Sequence, residues 1–130
     1  MTETFKIEII SPDKSFYNSE NVNEVVVPAV EGDMGILKNH IPIISFLKPG
    51  LIKVLTDNSE DEFYVEDGIL EFKDNTLSIL TSSIFNLKDK NKDIINKNLE
   101  EAEKQLQNNN LDDQNKFLLS QKIDVLKLIN

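Results

Sequence analysis

Every glycine and every proline in this 130-residue chain lies before residue 69. Gly32, Gly35, Gly50 and Gly68, with Pro12, Pro28, Pro42 and Pro49, punctuate the first part, and the last 44 residues carry neither type. Both residues interrupt helices and mark turns. The chain therefore divides into a turn-rich part and a part free to run as helix. Charge divides at the same place. Residues 1–86 hold 6 lysines and 15 acids, whereas residues 87–130 hold 8 of each, so the whole net charge of −9 sits in the first part. Two units are expected, 1–86 and 87–130.

The first unit reads as β. Phe5, Ile7 and Ile9 alternate with Lys6, Glu8 and Ile10 before Ser11-Pro12-Asp13 turns the chain. Val22 to Val27 is rich in β-branched residues and is expected to end at Pro28. Ile43–Leu47, Leu51–Thr56, Glu62–Glu66, Ile69–Phe72 and Leu77–Thr81 follow at short spacing, with Asn58, Asp67-Gly68 and Asp74-Asn75 as turn signals. Such a series of about ten short strands predicts a flattened sandwich or barrel. Gly32 and Gly35 read as a tight connection needing positive φ.

The second unit reads as two helices. Ile95, Leu99, Ala102 and Leu106 form one apolar stripe, with Asp89, Asn91 and Asp93 as alternative caps and Asn108-Asn109-Asn110 as the stop. Asp112 or Asp113 caps the second helix, whose stripe is Leu119, Ile123, Leu126 and Ile129, widened by Phe117 and Leu118. A short polar loop between them predicts an antiparallel hairpin. Phe117, Leu118 and Val125 remain to pack on the sandwich or on a partner.

Several chemistries are excluded by residue type. There is no cysteine, one histidine (His40) and no arginine among the 14 basic residues. That removes disulfides, thiolate nucleophiles, Cys or multi-His metal centres and arginine clamps on phosphate. The acidic balance opposes nucleic acid and anionic membrane surfaces. No apolar run approaches the ~20 residues of a transmembrane segment, and Met1-Thr2-Glu3-Thr4 does not read as a signal peptide. A soluble intracellular protein is the expectation. No phosphate-cradling glycine loop is present. Asp57 to Glu62 departs from a calcium loop at its sixth position, Glu62, and at its twelfth, Gly68, and reads as a solvated hairpin tip. His40 has no nucleophile motif beside it, and nothing selects one acid pair from the many. The residues alone show no active site and read as a binding or structural module, such as one with a partner-binding hairpin, with a hydrolase using His40 or an acid pair as the alternative.

One stretch narrows this. Val26-Val27-Pro28-Ala29-Val30-Glu31-Gly32-Asp33-Met34-Gly35-Ile36-Leu37-Lys38-Asn39-His40-Ile41-Pro42-Ile43-Ile44, followed by Leu47-Lys48-Pro49-Gly50, resembles the F-type ATP synthase epsilon subunit family, counterpart of the mitochondrial delta subunit. That family carries a V-P-G-x-E-G-E-F-G-I-L-P-G-H-A-P-L-L-T-x-L-K-P-G run. Phe5 to Pro12 resembles its first strand, and Gly68-Ile69-Leu70-Glu71 its G-G-I-L-E-V strand, with Asp67 for the first glycine.

The resemblance implies a non-catalytic rotor subunit of the central stalk, with a β-sandwich and two C-terminal helices. It implies partners in the gamma subunit and the c-ring, and in the alpha and beta subunits of the catalytic head if the helices extend into it. It implies coupling of proton- or sodium-driven ring rotation to ATP synthesis. It also implies a peripheral location on the cytoplasmic face of the inner (plasma) membrane. Carried over by position, Glu31, Asp33 and Met34 face the c-ring, and Ser11, His40, Pro42 and Ser45 face gamma. Asp33 keeps the charge of the family's glutamate with one methylene less reach, and Asn39 stands for a glycine as a residue tolerant of left-handed geometry. Lys116, Lys122 and Lys127 are the candidates for an inhibitory helix. The family's ATP-linked I/L-D-x-x-R-A motif meets Lys90, Asn91, Lys92, Asp93, Ile94 and Ile95 here, without its acid and arginine. No cofactor is therefore expected, and ATP binding is expected to be weak or absent.

Overall fold

The fold is seen in a computed structural model that describes residues 4–12, 14–89, 92–108 and 110–129. Nine strands are found there: β1 (Phe5–Ser11), β2 (Lys14–Ala29), β3 (Gly32–Leu37), β4 (Ile43–Leu47), β5 (Gly50–Thr56), β6 (Glu60–Val65), β7 (Gly68–Lys73), β8 (Thr76–Leu80) and β9 (Ile84–Asn86). A short 3-10 turn (Leu87–Asp89) leads to helices α1 (Lys92–Leu106) and α2 (Asp113–Ile129).

The strands form a β-sandwich. One layer runs β4, β7, β8, β1 and the first half of β2; the other runs β3, the second half of β2, β5, β6 and β9. All pairs are antiparallel except β1 with β8. β2 joins the layers because it bends. Its register slips against β1 and again against β5 between Val22 and Glu24, and such irregularities turn a strand. Between the layers lies a core including Ile7, Ile9, Val25, Ile36, Val54, Phe63, Leu70 and Phe72. Edge-to-face aromatic pairs, Phe5 with Phe72 and Phe16 with Phe63, fill its two ends.

The expected end of a strand at Pro28 is corrected. β2 runs through it to Ala29, with Pro28 opposite Asp33 and Ala29 opposite Gly32, and the Pro28 carbonyl still accepts from Lys48 N at 3.0 Å, so the proline remains tied to its neighbours through its acceptor. Gly32 has positive φ (134°), but Gly35 does not and lies within β3 opposite Val26. Strands β3, β9 and the first half of β2 carry weak apolar patterns and had no separate expectation. Asn39 adopts φ 66°, the left-handed geometry expected of it, while Asp74 and Asn75 (φ 52° and 54°) form the tight β7–β8 turn.

The hairpin follows its stripes. Ile95, Ala102, Ile123, Leu126 and Ile129 are buried and Leu99, Leu106 and Leu119 half-buried. Asp112 caps α2, its Oδ1 accepting from Asn115 N at 2.8 Å. Val125 packs toward the sandwich, but Phe117 and Leu118 do not widen the buried stripe; both are exposed. The candidate cap Asn91, Lys90 of the aligned motif, Asp13 of the first turn and Asn109 of the loop lie outside the described residues.

Gly50 is where two segments touch most closely. A Cβ there would sit 2.5 Å from Pro28 Cβ and 3.0 Å from its Cγ, on a buried ring that cannot rotate away. Gly50→Ala is expected to cost about 1–3 kcal/mol in urea unfolding through overpacking. A midpoint equal to that of the parent chain would refute this account of the contact.

Candidate functional site

Each sheet turns an apolar row outward. In the second layer, Leu51, Tyr64 and Phe85 stand opposite one another across β5, β6 and β9. The hairpin covers this row: Tyr64 clusters with Ile95, Leu126 and Ile129, and Leu99 and Val125 pack alongside. Lys122 Nζ lies 3.0 Å from Glu66 Oε1 at the margin of that contact.

In the first layer, Phe46, Ile69, Leu80 and Ile10 stand in register across β4, β7, β8 and β1. Among the described residues nothing covers them. Phe46 is 62% exposed, Leu80 53% and the neighbouring Ile44 64%, on strands whose other face is core. The next row is Ile44, Glu71, Ser78 and Glu8, so the apolar row has an acidic border. Two shallow apolar grooves flank the Ile69–Leu80 ridge, one ending at Pro12 and the other at Ile44. An exposed apolar face with a polar rim is the anatomy of a docking surface.

The expected gamma-facing residues bracket this face and do not form it. Ser11 ends β1 at one end of the sheet. His40 and exposed Pro42 lie at the other, where the His40 ring packs edge-on to Phe72 (centroids 5.8 Å apart) and its Nδ1 donates to Ile41 O (2.7 Å). Ser45 alternates with Ile44 and Phe46 and is half-buried, on the side of Ile43 and Leu47. The residues on the face itself went unread. The available signal was β4 and β7, apolar at successive positions and not at alternate ones, as in strands covered on both faces.

Of the residues expected at the c-ring, Glu31 is exposed in the two-residue turn between β2 and β3, and Asp33 is exposed just beyond it. Met34 points the other way and packs against the main core. The lysines separate as well. Lys116 and Lys127 are exposed, while Lys122 is engaged with Glu66. Among the described residues no cluster of His, Cys, Asp or Glu could hold a metal ion. Among the described residues, too, no helix is long and apolar enough to cross a membrane.

A polar clasp holds the root of the hairpin. Asp61 on β6 accepts from Tyr17 Oη (3.0 Å, Oδ2) and from Lys88 Nζ (2.8 Å, Oδ1), joining β2, β6 and the 3-10 turn. The Lys88 ammonium, then the Tyr17 hydroxyl, hold the Asp61 carboxyl below its ordinary range against some burial. Burial first, then the carboxylate of Asp61, push Tyr17 up to about 12.

Fold and faces together define a β-sandwich protein with a C-terminal helical hairpin on one outer face and an uncovered apolar row on the other. The family model for the ATP synthase delta/epsilon chain, beta-sandwich domain, matches residues 4–87. The ATP synthase epsilon chain of Pelagibacter ubique (strain HTCC1062) is 62% identical over 130 residues, 100% of both chains. That of Rhodopseudomonas palustris (strain BisA53) is 34% identical over 86 residues, 66% of this chain and 63% of that one. A chain in the solved Euglena gracilis mitochondrial ATP synthase, OSCP/F1/c-ring, shares the fold with a TM-score of 0.74 at 20% identity, covering 98% of this chain and 79% of that chain. The chain belongs to the ATP synthase delta/epsilon family, and within it resembles the epsilon chains.

The clasp sets an alkaline limit. Tyr17 has a folded pKa above its unfolded value of about 10, so its stabilising contribution is complete below that pH and is lost as pH rises toward about 12. Tyrosinate absorbance of the folded chain is expected to stay flat through about pH 10. Asp61→Asn should bring the Tyr17 step to lower pH. A full tyrosine step near the unfolded value in the parent chain would contradict the clasp.

Proposed function

We propose that this chain is the epsilon-type rotor subunit of an F-type ATP synthase central stalk, with no catalytic chemistry of its own. Its sandwich joins the gamma subunit to the c-ring, and so couples ion-driven ring rotation to ATP synthesis in the catalytic head. The observation that carries the reading is the uncovered row Phe46, Ile69, Leu80 and Ile10. A row across four strands spans roughly 15 Å, enough to seat one helix or strand of a partner. Its acidic border of Glu8 and Glu71 favours a partner segment with an apolar face and a basic edge. We assign gamma to this face, with Ser11, His40 and Pro42 at its rim.

The tight β2–β3 turn carries the c-ring contact in this reading. Glu31 and Asp33 are its charged groups, and Met34 anchors the turn from inside. Such a turn, backed by a packed core, transmits force with little give. The complex would sit peripherally, at the cytoplasmic face of the membrane. Hairpin inhibition of ATP hydrolysis would use the exposed Lys116 and Lys127, with Lys122 freed only when its pair with Glu66 opens. His40, occupied by Phe72 and Ile41, gives the hydrolase reading no support.

Size-exclusion co-elution with the cognate gamma subunit tests this. The parent chain is expected to form a one-to-one complex. Phe46→Asp should weaken it ~30-fold or more, as for a central apolar anchor, while Lys97→Glu on exposed α1 leaves it intact. Asp33→Lys should keep gamma binding and lower ATP-driven ion pumping in the assembled enzyme. Equal gamma affinity for the parent chain and Phe46→Asp would remove the assigned face.

A further inference from the structure

The seam between hairpin and sandwich is apolar around Tyr64, has Lys122 paired with Glu66 at its margin, and contains two buried polar atoms that stand out. Tyr64, 0% exposed at the centre of the covered row, has its hydroxyl oxygen buried with no hydrogen-bond partner among the described residues. The same is true of Gln121 Oε1 on α2. Gln121 lines a cavity of about 450 Å³ between α2 and the sandwich, together with Leu51, Lys53, Val125 and Leu128. A phenol would be expected to find a partner when buried, and one left unmade costs more than an average hydrogen bond gives. The ion pair between Lys122 on α2 and Glu66, directly after β6, crosses the seam and opposes this loss.

We propose that the Tyr64 hydroxyl is a built-in release element: by lying unpartnered in the seam it holds the docked hairpin short of the stability that the same apolar contact would otherwise provide. On undocking, the hydroxyl and the Gln121 carbonyl regain water, so the open state is favoured by the two groups the closed state leaves unsatisfied. The ring itself is packed: Tyr64 lies 5.0 Å from Phe85, centroid to centroid, and shares one buried cluster with Ile95 of α1 and Leu126 and Ile129 of α2. A phenylalanine would keep this packing. The tyrosine therefore supplies area for docking and a penalty against it in one side chain. Because this concerns only the chain's own hairpin, it deepens the stalk reading without depending on the gamma face.

Amide hydrogen exchange of the full chain tests it. Helices of 15 and 17 residues are marginal in water by themselves, so undocking exposes their amides. Tyr64→Phe is expected to slow exchange of buried-face α2 amides, such as Ile123 and Leu126, about tenfold, the scale of one unmade buried hydrogen bond. Gln121→Met should shift them the same way, and Lys122→Met the opposite way. The amides of Ile7, Val25 and Leu70 in the sandwich core should not change and report that the fold is intact. Unchanged or faster α2 exchange in Tyr64→Phe, with the core amides intact, would overturn the proposal. Should those core amides be disturbed, Gln121→Met decides by the same criterion. Failure here would leave gamma co-elution untouched, so the two readings fall separately.

Discussion

The bend in β2 is the constraint on which the molecule depends. A sixteen-residue strand would be expected to run straight through one sheet, but the bulge between Val22 and Glu24 passes it from one layer to the other. Its first half holds β1, and through β1 the strands β8, β7 and β4. Its second half holds β3 and β5. Val22, Val25 and Val27 on this one strand are all part of the core between the layers. Gly50 and Pro28 then close the end of the sandwich where β2 finishes, with a contact too tight for any side chain on the glycine.

With the interior shared, the two outer faces meet different fates. Leu51, Tyr64 and Phe85 are covered by the chain's own helices, whereas Phe46, Ile69 and Leu80 are left open. Charge follows the same division. The acids of β6 and its end, Asp61 and Glu66, are matched by Lys88 and Lys122 of the hairpin region, while Glu8 and Glu71 beside the open row face outward. One apolar row is covered within the chain, and the other is uncovered among the described residues. The two outer faces of the sandwich are therefore physically unlike, although both carry an apolar row.

Much of this was legible in the residues. The helix stripes could be read from Ile95, Ala102, Ile123 and Leu126 because helical periodicity survives in a single sequence. Asp74-Asn75 and Asn39 declared their turns through residues that tolerate positive φ. The first half of β2 was not legible, because Lys14 to Asn21 is mostly polar and is a strand only through its pairing with β1. Pro28 misled for a related reason: a strand boundary depends on which partner needs the N–H, and that partner is known only in three dimensions. The outward apolar row was hidden in the same way. Ile44 and Phe46 look like core residues in sequence, and only the register across β4, β7, β8 and β1 shows that they line up on the outside. The seam's unpartnered oxygen has no sequence signature at all, since a tyrosine's partner is a property of its surroundings.

The parallel pairing of β1 with β8 bears on how the chain reaches this state during synthesis. Lys6 pairs with Thr76 and Ile10 with Leu80, partners about seventy residues apart. β1 leaves the ribosome before the rest of the sandwich, and can complete its place in the sheet only after nearly all the sandwich has emerged. Closure of so long a loop makes that step slow compared with forming the β7–β8 turn or the helical hairpin. Until it occurs, one edge of β1 and the facing edge of β8 are unpaired, and such edges are open to mispairing with other nascent chains. An acidic first unit, repelling its own copies while it waits, is a fitting composition for such a folding order.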